Sequence, residues 1–131
     1  MAFLRPFQAQ LLSLLRIMTG LLLLQHGTGK YLNVPAGPMN NASPLTPGGA
    51  AGLIELVGGV LLTIGLFTRP SAFILSGTMA VAYFYAHAPR GFYPILNQGE
   101  LAVLYCFVCL YLAAAGAGPW SLDKLVRHDA I

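Results

Sequence analysis

Four long apolar stretches dominate the chain: residues 8–27, 48–67, 70–88 and 97–115. Each is near the roughly 20 residues that an α-helix needs to cross a bilayer. Only Thr68-Arg69 separates the second stretch from the third, and Pro70 suits a first helical turn, where a missing N–H does no harm. These two stretches are expected as an antiparallel hairpin. Between the first and second lies LNVPAGPMNNASPLTP, whose Pro, Gly and Asn content marks a loop outside the hydrocarbon. PRGFYP, between the third and fourth, is a second loop with aromatic rings suited to an interface. Residues 116–131 read as a polar tail, with Trp120 as an interfacial anchor and Ser121 as the cap of a short amphipathic turn. The pattern predicts an all-α fold, with residues 1–131 forming a single transmembrane domain, an integral membrane four-helix up-down bundle.

The second stretch carries one carboxylate, Glu55, about a third of the way along. An acid at that depth costs roughly 2.5–3.5 kcal/mol on insertion scales. Gly52, Glu55 and Gly59 fall on one helix face, and glycines there let another helix approach closely. Glu55 is therefore expected to be buried against a neighbouring helix that supplies its partner.

Composition strengthens the membrane reading. Of 131 residues, 56% are hydrophobic and 8% charged, against about 25% charged in soluble domains. The net charge of +3 is too small and scattered to argue for nucleic acid. No metal, haem, flavin or iron–sulfur motif is present, so no metal site is expected. Arg16 interrupts the first apolar run and no A-x-A-like cleavage site follows Leu24, which favours a retained first span over a signal peptide. With four spans, Arg5, Arg69, Lys124 and Arg127 fall on one side and Lys30 and Arg90 on the other. The positive-inside rule then places both termini in the cytoplasm.

The ionisable residues suggest chemistry. Arg16, Gly20, Leu23, Gly27 and Lys30 line one face of the first stretch, with Thr19 and His26 at its edge. Ser76, Tyr83 and His87 share a face of the third stretch, and Asn97 and Glu100 are neighbours on the fourth. Depth gathers His26, Lys30, Glu55, His87, Asn97 and Glu100 in the outer half, with Arg16 reaching outward to Glu55 or Glu100. The expected result is a polar pocket near the outer surface. Glu55, Glu100 and His26 are its candidate catalytic groups. Arg16, Lys30, His87, Asn97 and Tyr83 are its candidate ligand-binding groups. Such a cluster either neutralises itself to lock the bundle, moves protons, or holds a quinone or other flat polar-headed ligand. His26 followed by Glu55, and His87 followed by Glu100, form an echo that suggests two equivalent hairpins. Cys106 and Cys109 lie in apolar surroundings that disfavour the thiolate, so small apolar filler is the favoured reading.

The order of these residues resembles the DoxX family of four-helix membrane proteins. It is carried by Arg16, Gly20, Gln25-His26-Gly27 and Lys30, then Gly52-Leu53-Ile54-Glu55-Leu56-Val57-Gly58-Gly59, then Gly65-Leu66-Phe67-Thr68-Arg69, then Asn97-Gln98-Gly99-Glu100, and last Gly118-Pro119-Trp120-Ser121-Leu122-Asp123. The match spans nearly the whole chain. The resemblance implies a bacterial inner membrane and places His26, Lys30, Glu55 and Glu100 at characteristic positions. It also implies a redox setting, since relatives include the membrane subunit of a thiosulfate:quinone oxidoreductase. The leading expectation is a quinone-linked membrane oxidoreductase, or the quinone-docking subunit of one. A quinone is then the cofactor, a soluble or membrane redox protein the partner, and a homodimer an option. Alternatives are a small-solute transporter and a non-catalytic accessory or scaffold protein.

Overall fold

The structure, a computed structural model, describes residues 1–126. A 3-10 turn over Ala2–Phe7 leads into α1, Gln8–Tyr31. α2 spans Pro47–Ile64 and α3 spans Thr68–Ala82. A π turn over Tyr83–His87 and a 3-10 turn over Ala88–Arg90 follow. α4 is Pro94–Asn97, α5 is Glu100–Ala115 and α6 is Leu122–Val126. Among the described residues the chain is all-helical, with six α-helices and no strand. Ala2–Tyr31 and Pro47–Ile64 are long and apolar enough to cross a membrane, whereas Glu100–Ala115 is apolar but shorter.

Local chemistry sets the helix ends. Thr46 caps α2, its hydroxyl accepting from the Gly49 N–H at 3.1 Å, with Pro47 in the first turn. Gly65 closes α2 at φ 71°, a left-handed conformation that glycine adopts without steric cost. α1 runs a full turn beyond the expected end at residue 27, so Lys30 and Tyr31 are still helical. The third stretch changes to π pitch over Tyr83–His87, yet Ser76, Tyr83 and His87 all still face the fourth stretch, at Cys106, Gly99 and Asn97. The fourth is broken: Gln98, at φ 61°, ends α4 before Glu100 opens α5. Asn97 and Glu100 are therefore not neighbours on one helix, as their spacing had implied.

α1 packs along α2, α3 along α5, and α2 against α3, while α1 and α5 touch at few points. The α1–α2 seam is built on glycine. A Cβ on Gly20 would lie 2.6 Å from the Thr63 backbone, one on Gly27 2.6 Å from Leu56, and one on Gly59 2.7 Å from Leu24. Each step along α1 is matched by an equal step back along α2, so the backbones stay in contact from end to end. Leu23, Leu62, Ala72, Leu75, Met79, Tyr105, Cys109 and Leu112 then form one apolar core drawn from α1, α2, α3 and α5. Cys106 and Cys109 are free thiols on α5, with Cys109 fully buried in that core.

Candidate functional site

The polar residues do not gather in one pocket. They form three separate clusters. The first stands where the end of α1 meets the start of α2. Glu55 is only 3% exposed, and the close α1–α2 approach brings it to Lys30, whose Nζ lies 2.9 Å from Oε1. Lys30 Nζ also donates to the Gly48 carbonyl at 3.1 Å. His26, one turn before Lys30, places Nδ1 3.9 Å from the other Glu55 oxygen. Gly52 makes this possible, because a Cβ there would stand 2.7 Å from the Lys30 Cδ. The Tyr31 hydroxyl donates to the Gly49 carbonyl at 2.6 Å. Tyr105 of α5 closes the cluster from the core side, its ring edge-on to His26 with centroids 6.4 Å apart.

A buried Lys–Glu pair with extra hydrogen bonds is held in place strongly, because removing either partner strands the other charge. Lys30 is thus committed to Glu55 and Gly48. His26 is about one-third exposed and less constrained. It lines a cavity of about 310 Å³ together with Gln25, Gly29, Pro35, Gly37 and Met39. The loop after α1 supplies the outer wall. The imidazole therefore stands between an open cavity and a buried carboxylate, within ion-pair range of Glu55 but beyond direct hydrogen-bond reach, so a proton would pass between them through one bridging water.

The second cluster joins the π turn to α4. The Asn97 amide donates to the Tyr83 hydroxyl at 3.2 Å and to the Gly91 carbonyl at 3.0 Å, and its oxygen accepts from the Gly99 N–H at 2.9 Å. His87 Nδ1 lies 3.0 Å from the Asn97 carbonyl and stacks on Tyr83. Asn97 is fully buried and saturated by these bonds. Tyr83, His87 and Asn97 therefore tie the break between α4 and α5 to α3, apart from the His26 cluster. Glu100 belongs to neither group. It is exposed at the start of α5, with no partner among the described residues. The His26–Glu55 contact thus has no counterpart between His87 and Glu100, and the sequence echo does not extend to contacts.

The third cluster overturns the expected role of Arg16. Its guanidinium lies away from both Glu55 and Glu100, under the segment after α5. It donates to the carbonyls of Ala117, of Trp120 at 2.7 Å and of Thr63 at 3.5 Å. Two facts explain this. Ten residues of helix separate Arg16 from His26, about 15 Å at 1.5 Å per residue. Long side chains on a helix also lean toward its N-terminus, so the guanidinium reaches away from the His26 end. Ser13 holds the same segment, its Oγ accepting from the Trp120 N–H at 3.1 Å. Asp123 completes the arrangement. Its carboxylate accepts from the Phe67 and Thr68 N–H groups at 2.7 and 2.9 Å, capping α3, while its own N–H donates to the Gly65 carbonyl at 2.8 Å. Ser121 does cap the following turn, accepting from the Lys124 N–H at 3.2 Å. The expected tail is therefore an ordered brace as far as Val126, and Arg127 lies outside the described residues. Among the described residues no group of three or more His, Cys, Asp or Glu could hold a metal ion.

Gln25, Tyr31, Tyr105 and Asp123 were missed in the sequence as site or brace residues. Gln25 and Asp123 left a trace, within Gln25-His26-Gly27 and Gly118-Pro119-Trp120-Ser121-Leu122-Asp123, whereas Tyr31 and Tyr105 left none.

The DoxX family model matches residues 11–88, which carry His26, Lys30 and Glu55. An uncharacterized protein of Haemophilus influenzae is 45% identical over 130 residues, covering 92% of this chain and 94% of the relative. A second uncharacterized protein of the same organism is 37% identical over 73 residues, covering 56% of this chain and 48% of the relative. No solved structure matches the chain. The family match over more than half the chain, together with a relative similar along almost its full length, establishes that this chain belongs to the DoxX family.

Proposed function

We propose that the chain is a multi-pass protein of the bacterial inner membrane whose four longer helices cross as an up-down bundle, with both termini cytoplasmic. In this reading it docks a quinone for a redox complex, and the His26 end of α1 faces outward. The observation that carries this is the cavity of about 310 Å³ beside His26, backed by the buried Glu55–Lys30 pair. Its volume is at the lower end of small-molecule sites, which run from about 300 to 1,000 Å³. Its wall is mostly apolar, with the Gln25 amide and the His26 imidazole as polar groups on adjacent residues. A flat ring with carbonyl acceptors meets those requirements. A quinone held there would serve as a two-electron acceptor for a reductant on a partner subunit, with one proton reaching it through His26 and the other from water in the open cavity. His26 orients a quinone oxygen and supplies a proton to it, and Glu55 holds the imidazole for that task. Lys30 pairs with Glu55 and does not touch the ligand. Arg16, His87, Asn97, Tyr83 and Glu100 have no part in this site.

Titrating the purified protein with a short-chain ubiquinone tests the reading. Saturable binding is expected, weakened about tenfold by His26→Leu, as for loss of one hydrogen bond to a charged or polar ligand group. Equal binding by both proteins would exclude a quinone beside His26.

A second reading, a non-catalytic accessory protein, draws on one observation. Lys30, Asn97 and Arg16 are committed to partners within the chain, as in a bundle whose polar groups only lock it.

A further inference from the structure

Glu100 remains unexplained by the site beside His26. It is exposed at the first position of α5, and no cation pairs with it among the described residues. It stands at the rim of a groove of about 390 Å³, otherwise lined by Pro94, Leu101, Val103, Leu104 and Phe107. From Glu100 to Phe107 the groove descends two helical turns along α5, about 10 Å at 1.5 Å per residue. Its rim lies at the level of the loops and its floor within the apolar span. Arg90 is also exposed, and its Nη1 lies 3.4 Å from the oxygen of Gln98, two residues before Glu100. One end of the groove thus bears a carboxylate, with Arg90 bonded to the turn two residues before it, and the rest is hydrocarbon.

We infer that this groove seats a phospholipid whose headgroup ends in a primary ammonium, with the ammonium on Glu100 and an acyl chain along Leu101, Leu104 and Phe107. The inference rests on the membrane-spanning reading given above, but not on the quinone. Three features choose the occupant. A groove facing the bilayer is filled by lipid, so the ligand comes with an acyl chain. An unpaired carboxylate at headgroup level favours a cationic group, and a primary ammonium donates hydrogen bonds that a trimethylammonium lacks. A cation on Arg90 suits the phosphate of the same headgroup. An anionic headgroup without an ammonium gains nothing from Glu100 and is repelled by it.

The test is lipid retention. The full chain is reconstituted in nanodiscs of equal parts phosphatidylethanolamine and phosphatidylcholine, extracted in mild detergent, and the lipids that stay bound are measured by native mass spectrometry. Phosphatidylethanolamine is expected to exceed phosphatidylcholine about fivefold, the worth of one hydrogen bond to Glu100 that a trimethylammonium cannot donate. Glu100→Gln is expected to bring the ratio to about one without changing thermal unfolding, since Glu100 holds nothing in the chain. Leu104→Trp, which fills the groove, is expected to lower retention of both lipids. Equal retention by the unaltered protein, or a preference that survives Glu100→Gln, would overturn the lipid seat. Washing membranes with alkaline carbonate separates this from the underlying reading. Release of the chain would overturn both, whereas a retained chain with no lipid preference would overturn the seat alone.

Discussion

Glu55 shows how a single residue decides what its neighbours do. Held at 3% exposure by the α1–α2 seam, it must meet a cation, and Lys30 supplies one at 2.9 Å. Glu55→Gln is expected to lower stability by about 3 kcal/mol, because Lys30 keeps its charge without a counter-ion. Adding Lys30→Met should recover most of that loss, and denaturation of the single and double variants measures the coupling. Arg16 poses the opposite case. It is fully buried and bonded to backbone carbonyls, not to an acid. Arg16→Lys should lose about 2 kcal/mol in the same measurement, since one ammonium cannot span the spread of oxygens that the guanidinium fork reaches. This contrast also explains what the sequence could reveal. That Glu55 is buried and needs a cation was legible, because a carboxylate in an apolar stretch must find a partner, but the sequence pointed to Arg16 where the structure supplies Lys30. The partners of Arg16 were not legible, because every residue carries a carbonyl.

The α1–α2 pair depends on positions where a side chain is missing. Gly27→Ala is expected to cost about 1–3 kcal/mol, as overpacking against the Leu56 backbone, and thermal unfolding would show it. Gly77→Ala on α3 is the matched control. Nothing lies within 4 Å of a Cβ there, so the change should be neutral or stabilise by up to about 1 kcal/mol through helix propensity. Asp123 caps α3 from a distant part of the chain, and Asp123→Ala should cost about 1–2 kcal/mol. The long helices were readable from hydrophobic blocks alone. The π turn over Tyr83–His87 was not, because no residue type marks it, and the Asn97-Gln98-Gly99-Glu100 run that does mark the break reads in the sequence as the start of one continuous helix. The break at Gln98 separates Asn97 from Glu100, while Tyr83, His87 and Asn97 bond to one another apart from His26.

Across the whole molecule, the two ends do different work. One end presents His26 to a cavity, and the other is closed by the segment from Ala117 to Val126. In the proposed orientation, a lone cysteine placed at Asn41 in a Cys106→Ala/Cys109→Ala background reacts with an impermeant maleimide on intact cells. One placed at Lys124 reacts only after the membrane is opened. The reverse pattern would invert the topology. The closed end also bears on biogenesis. Arg16 and the carbonyl of Ala117 are 101 residues apart, so a translating ribosome releases the guanidinium long before the oxygens it needs. In the membrane-spanning reading proposed above, the first helix then enters the bilayer with an unmatched cation. Its settled depth is reached only after the distal segment has been made and folded back beneath it.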